Sequence, residues 1–316
     1  MGTKINILHV ISSLEKKGPV QVIFDLIKNS DHNQFNFVLL ALKPCKDNSL
    51  KREFEKLPIK IIELENIVTY NFLKFNKIVT RIVSEEQVSI CHSHCTRSLM
   101  INILSCKKLI RFHSIQIYPG LQSKTMNGFF VGSLINLFTK KTLHLIEYPI
   151  SCSKYVHDTL LLNDKIKTRI VVNGSKSNYN NELSRPELKI KLGFDCNYKY
   201  IISVGRLSPE KNFKYLINNF LNSNHEGYKL VIIGDGDLET ELKSISNSDD
   251  ILILGFKSNF EEYIYASDYY ISTSLTEGMP LSVLIAMEAG LPLLLSNIPA
   301  HIEIFDNAKN ETKNIG

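Results

Sequence analysis

The segment Ser272-Thr-Ser-Leu-Thr-Glu277-Gly-Met-Pro280-Leu281 sets a lone carboxylate between a strand-like run and a helix-like one. Residues 268–273 are β-branched and aromatic enough for a buried parallel strand, and 281–289 read as the helix that follows. Glu277 therefore belongs at the carboxyl end of a strand, the edge at which open α/β sheets bind ligands. The amides of Gly278, Met279 and Leu281 open onto the same spot around Pro280, and a helix N-terminus favours anionic or oxygen-rich groups. The loop suits a sugar hydroxyl and a phosphate together.

A second constellation, Gly205-Arg206-Leu-Ser-Pro-Glu-Lys211-Asn212, follows the strand-like run 200–204. Arginine brings a planar fork and lysine a point charge, and together they can neutralise a diphosphate. Gly234-Asp-Gly236 holds two of the three glycines of a dinucleotide fingerprint but lies mid-chain, so it reads as a tight turn lining a nucleotide pocket. Gly18, in Lys17-Gly18-Pro19, allows close backbone approach after the first strand. His113 ends another strand-like run, where a lone histidine is either a satisfied structural group or one facing a cleft. Cys91-His92-Ser93-His94-Cys95 contains soft metal ligands, yet strand alternation sends neighbours to opposite faces, so four ligands cannot easily converge and no metal is assigned.

The elements that must position these groups alternate along the whole chain. Strand-like runs fall at 5–10, 35–42, 59–64, 88–92, 109–113, 143–151 and 169–173, with amphipathic stretches such as 20–28 and 72–85 between them. A second series follows at 200–204, 229–233, 251–254, 269–273 and 293–295. Such alternation means parallel sheets with crossover helices. The expected fold class is α/β, two tandem Rossmann-like domains over 1–178 and 179–316, with the polar stretch 175–186 as the linker. The second domain reads as incomplete, ending in a polar tail from Lys309 without a closing strand or helix.

Composition bounds the partners. The 316 residues are 44% hydrophobic and 22% charged, ordinary for a soluble globular protein, and no apolar run is long enough to span a bilayer. The start runs straight into a strand pattern, so no signal peptide is read and the expected location is cytoplasmic. The six scattered cysteines point to reduced thiols. The net charge of +5 hides an asymmetry: residues 1–178 carry 25 Lys and Arg against 13 Asp and Glu, the rest 12 against 19. The basic half includes residues 124–141, apolar with flanking lysines, which suits either a core helix or an anionic membrane surface. Nucleic acid is excluded as a partner, since no motif or aromatic–basic interleaving supports it.

Taken together, Gly205-Arg-Leu-Ser-Pro-Glu-Lys211-Asn, Ile233-Gly-Asp-Gly236, Leu254-Gly-Phe256 and Glu277-Gly-Met-Pro-Leu…Ala286-Met…Gly290-Leu-Pro292, preceded by Ile7-Leu-His-Val-Ile-Ser-Ser13…Gly18-Pro, resemble retaining glycosyltransferases of family 4. The resemblance implies a GT-B fold, two Rossmann domains facing across a cleft, with the nucleotide-sugar held mainly by the second and the acceptor by the first. By position it implies that Gly18, Arg206 and Lys211 bind the donor diphosphate and that Glu277, Gly278, Met279, Pro280 and Leu281 hold the donor sugar. It places His113 beside the reacting sugar as a catalytic residue with Glu277, and Gly234, Phe256 and Lys257 around the base. No metal or other cofactor is implied.

Three positions depart from the pattern. Ile285 stands where the family carries a ribose-binding glutamate, Lys17 replaces one glycine of the first turn, and a further strand and helix are not read at the end. The expected function is transfer of a hexose or N-acetylhexosamine from a UDP-sugar to a polyprenyl-diphosphate-linked glycan in bacterial surface-polysaccharide synthesis, with an anionic membrane as a further partner. The alternative is a catalytically impaired homologue that binds nucleotide-sugar or a partner transferase without turnover. An epimerase of the same architecture would need paired acid/base carboxylates that are not evident.

Overall fold

A computed structural model describes residues 4–45, 49–64, 72–120, 123, 128–174 and 183–313. The chain divides into two compact units, Met1–Asn173 and Gly174–Gly316. Each is a parallel sheet with helices between its strands, so the α/β class read from the alternation holds.

The first unit contains seven strands: β1 (Ile5–Ile11), β2 (Phe35–Ala41), β3 (Lys60–Glu63), β4 (Ile90–Ser93), β5 (Ile110–Ile115), β6 (Tyr148–Ser151) and β7 (Arg169–Ile170). Their order is β3-β2-β1-β4-β5-β6-β7, so the chain winds one way from β1 and the other way from β4. Both faces of β1 are buried, which is why its sequence is a nearly continuous apolar run. Leu8 and Val10 pack on one face with Val38, Leu40, Val79 and Cys91. Ile11 joins Phe37, Leu39 and the helix residues Val20, Ile23, Phe24 and Ile27 on the other.

The second unit orders β8 (Lys199–Val204), β9 (Tyr228–Ile233), β10 (Ile251–Ile253), β11 (Tyr269–Ser272) and β12 (Leu293–Leu295) as β10-β9-β8-β11-β12. Its winding reverses between β8 and β11. Phe213, Leu216, Ile217 and Phe220 line one side of the helix Phe213–Leu221 and bury against Leu230, Ile232 and Ile251. Burial of each such side chain stabilises by about 1.5–3 kcal/mol.

Three expectations are corrected. The run 143–151 is not one strand: Leu143 closes the helix Phe129–Leu143, where it is buried, and β6 begins only at Tyr148. Residues 169–173 give a strand of two residues, Arg169–Ile170. The closing segment is helical, since Pro299–Lys313 is one α-helix where a polar tail was read from Lys309. Ala300 and Ile304, one turn apart and both buried, anchor it, and residues such as Glu303 and Lys309 are good helix formers without being apolar. Residues 175–182 of the linker and 124–127 of the basic apolar segment lie outside the described residues.

Candidate active site

In the second unit the loops after β8 and β11 meet at the point where the winding reverses. Arg206 and Lys211 follow β8, and Glu277 follows β11, its neighbour in the sheet. Crevices of this kind, at the carboxyl ends of strands, are where doubly wound sheets take ligands. Lys211 Nζ forms an ion pair with Glu277 Oε1, and Ser274 Oγ donates to the same oxygen at 2.7 Å. Glu277 is 9% exposed, so the pair is largely withdrawn from water. Breaking the pair from one side removes a charged hydrogen bond, at a cost of about 1.5–3 kcal/mol.

Backbone hydrogen bonds fix the two loops against each other. Thr273 Oγ1 donates to the carbonyls of Lys211 and Asn212 at 3.1 and 3.2 Å, and Leu275 N–H donates to Glu210 O at 2.8 Å. The β9 loop presses in from the other side. A Cβ at Gly234 would lie 1.8 Å from the Gly205 carbonyl oxygen, and one at Gly236 would lie 2.4 Å from that of Leu207. Both glycines are therefore needed for the backbone approach that shapes this edge.

Arg206 is exposed, with Asp237 Oδ2 at 3.9 Å, whereas Lys211 is half-buried. Gly278, Met279 and Pro280 are buried, and Leu281 starts the helix Leu281–Glu288 with Pro280 as its N-cap. Phe256 and Lys257, both half-buried, follow β10. Ile285 is 3% exposed and faces inward with Val283 and Ala286, whereas Glu288 is exposed.

One residue of this network escaped the sequence reading. His301 is buried near the start of the closing helix; its Nδ1 contacts Ser296 O at 2.9 Å, and its Nε2 has no hydrogen-bond partner. Ser296 Oγ donates to Ser274 O at 2.6 Å, linking His301 to the residue that holds Glu277. Burial lowers the His301 pKa, while the Ser296 carbonyl and the Glu277 charge pull it back up. Its position just past β12, the strand beside β11, was the only available signal.

The first unit gathers its polar groups at the corresponding edge. His113, on β5, is buried and its Nδ1 lies 2.8 Å from Ser93 Oγ, which also accepts from Asn102 Nδ2 at 2.9 Å. Ser93 Oγ also donates to the Phe112 carbonyl oxygen at 3.3 Å. Burial drives the His113 pKa down to about 3, so the ring is a neutral hydrogen-bonding group. Gly18 is exposed at the first position of the helix Gly18–Lys28.

Strand alternation separates residues 91–95 as expected. Cys91 does point to the opposite face, into the core with Leu8 and Val10. His92 and His94, however, lie two apart and share a face, and β1 contributes His9, the register partner of His92. Three histidines converge where four ligands were judged unable to.

Comparison with known proteins now defines the class. Residues 184–314 match the family described as "Glycosyl transferases group 1". The chain is 25% identical to the Escherichia coli UDP-Gal:alpha-D-GlcNAc-diphosphoundecaprenol alpha-1,3-galactosyltransferase over 94% of its own length and 80% of that protein's. It is 35% identical to the E. coli O-antigen biosynthesis glycosyltransferase WbnH over 35% of this chain and 33% of WbnH. The crystal structure of Anabaena Alr3699/HepE in complex with UDP and glucose shares the fold, with a TM-score of 0.74 at 16% identity over 95% of this chain and 82% of HepE. The chain is a glycosyltransferase whose residues 184–314 match the group 1 family.

Proposed function

We propose that the chain is a retaining family 4 glycosyltransferase. It moves a hexose or N-acetylhexosamine from a UDP-sugar to a polyprenyl-diphosphate-linked glycan in bacterial O-antigen or capsule synthesis, at the cytoplasmic membrane face. The observation that carries this reading is the Lys211–Glu277 pair beside Arg206 at the β8/β11 reversal. It joins cations for a diphosphate to a carboxylate for sugar hydroxyls within one crevice. The E. coli relative named for transfer from UDP-Gal to a diphosphoundecaprenol-linked sugar, and HepE with UDP and glucose, support the donor and acceptor classes.

In this reading Arg206 and Lys211 stabilise the charge that builds on the diphosphate as its bond to the sugar C1 breaks. Glu277 and the amides beside Gly278, Met279 and Leu281 orient the sugar, while Gly234, Phe256 and Lys257 border the nucleoside. Ile285 leaves the ribose without a carboxylate partner. Neutral His113 offers a hydrogen bond at the acceptor side, and Gly18 admits the phosphate backbone. Two protein cations perform the neutralisation, so the transfer step itself is proposed to need no metal.

Membrane contact is assigned to the helix Phe129–Leu143. It exposes Phe129, Phe130, Val131, Leu134, Leu137 and Phe138, with Phe130 86% exposed, and its last turn carries the exposed Lys141 beside Lys140, which is paired with Asp164. An exposed apolar face closed by cations fits the boundary of an anionic bilayer. Among the described residues no helix is long and apolar enough to cross a membrane. The direct test supplies UDP-hexoses and UDP-N-acetylhexosamines with polyprenyl-diphosphate-GlcNAc and reads the product's anomeric configuration by NMR. Retention is expected; inversion rejects the mechanism, and absence of both transfer and UDP binding rejects the reading.

A further inference from the structure

We propose that His9, His92 and His94 form a binding site for one borderline first-row divalent cation, zinc(II) foremost, with a remaining coordination position open to water or an anionic oxygen. Their candidate ligand atoms all lie within 4.8 Å of one another. The site sits where the first sheet reverses its winding, between β1 and β4. His9 and His92 are register partners on those strands, and His94 lies two residues beyond His92 on the same face.

A purely structural trio of imidazoles would satisfy its polar atoms, and this one does not. A neutral imidazole has one donor and one acceptor. The contact between His9 Nδ1 and His94 Nε2, at 2.9 Å, uses one of each. Whatever the tautomers, the two outer nitrogens then leave one donor and one acceptor over. Both outer atoms, His9 Nε2 and His94 Nδ1, are buried without a hydrogen-bond partner, in residues only 1% and 4% exposed. The trio is therefore not a closed structural hydrogen-bond network, and the facing nitrogens, His9 Nδ1 and His94 Nε2, are the ones whose lone pairs an ion would take, each outer nitrogen then carrying the proton.

The dimensions are close to those of a tetrahedral ion. Metal–nitrogen bonds of about 2.0–2.1 Å put ligand nitrogens about 3.3 Å apart. The His9–His94 contact is already near that figure. Ring centroids 5.2 Å apart for His9–His92 and 5.1 Å for His9–His94 match three rings fanned about one ion, while His92–His94 at 4.0 Å must open. His92 is the half-buried member of the trio, and the other two are fully buried. Ser114 Oγ, 2.8 Å from His92 Nε2, anchors that ring as outer-shell partners of metal-bound histidines do.

All-imidazole ligation selects the ion class. Nitrogen donors without a carboxylate favour zinc, cobalt, nickel or copper and disfavour magnesium and calcium, which need oxygen. Three neutral ligands leave the full charge of the ion in place, so its open position attracts an anionic or polar oxygen. Bound there, the ion would tie β1 to the start of the helix Thr96–Ser105 and, through Ser93, to His113.

The test uses the full chain after chelator treatment. Equilibrium dialysis against zinc(II), with metal analysis, is expected to return one ion per chain, and cobalt(II) is expected to give the visible bands of a four-coordinate site without a thiolate charge-transfer band. His92→Gln should weaken zinc binding at least tenfold, and Ser114→Ala by roughly tenfold. Zinc-edge X-ray absorption on the wild type should show three imidazole shells and no sulfur, which decides the matter even if a variant fails to fold. No zinc retained by the wild type, sulfur ligation through a cysteine, or undiminished binding in folded His92→Gln would each overturn the site.

Discussion

Lys211 and Glu277, 66 positions apart in the chain, close an ion pair between the loops that follow neighbouring strands β8 and β11. The pair joins the two loops at the one point in the second sheet where the chain reverses its winding. The loop after β11 positions both residues: its Thr273 and Leu275 clamp the lysine loop, and its Ser274 donates to the glutamate.

The pair predicts a coupled loss. Glu277→Ala leaves the half-buried Lys211 without its partner and should destabilise by about 1.5–3 kcal/mol, the scale of a charged hydrogen bond, while Glu277→Gln keeps the Ser274 contact and should cost less. Denaturant unfolding of both variants, alone and combined with Lys211→Met, measures the coupling. Strictly additive losses would mean the two residues do not act as a pair.

Acid should weaken the first unit. His113 has a folded pKa of about 3 against an ordinary value of 6.5, so between these limits the unfolded chain binds more protons than the folded one. Stability therefore rises with pH across that window and is lost as pH falls below about 6.5, by on the order of 1.4 kcal/mol for each unit until the folded value is reached. Melting of the metal-stripped chain from pH 7.5 to 5 should show the fall; His9, His92 and His94 are buried with lowered pKa values as well, so His113→Gln should reduce the slope by about one proton's share and leave the rest. An unchanged slope in that variant contradicts the assignment.

Ile285 gives a prediction opposite to what its place in the motif suggests. Its side chain is buried with those of Val283 and Ala286. Ile285→Glu should lower stability by several kcal/mol through burial of a carboxylate and give no gain in UDP affinity. Tighter UDP binding in a folded Ile285→Glu would show that the position does face the ribose.

Helix Phe129–Leu143 should govern lipid association. Phe129→Ser with Phe130→Ser is expected to reduce co-sedimentation with anionic vesicles at least tenfold, given the area of two aromatic side chains. Raising salt should weaken wild-type binding, since exposed charges are screened beyond about 8–10 Å at physiological ionic strength. Equal binding to neutral and anionic vesicles, or none to either, removes the membrane role.

Most of the architecture was legible because parallel strands buried on both faces read as apolar runs: β1, β8 and β12 fall within a residue of where the pattern placed them. The end of the chain was not, because Pro299–Lys313 is held by a few buried positions such as Ala300 and Ile304 and is otherwise polar. The placement of Glu277, Arg206 and Lys211 could be read from strand-end logic. Their ion pair could not, since it depends on which strands are neighbours. The same holds for His9, which joins His92 and His94 only through the β1–β4 register, and for His301, which is tied to Glu277 through two serines.

The most direct measurement is calorimetric titration of UDP into the wild-type chain and into the double variant Arg206→Ala/Lys211→Ala, with folding of both checked by circular dichroism. A diphosphate held by these two cations predicts wild-type binding and a loss of roughly tenfold or more in the double variant, the scale of lost charge-assisted hydrogen bonds. UDP affinity unchanged in the folded double variant would contradict the β8/β11 crevice as the donor site.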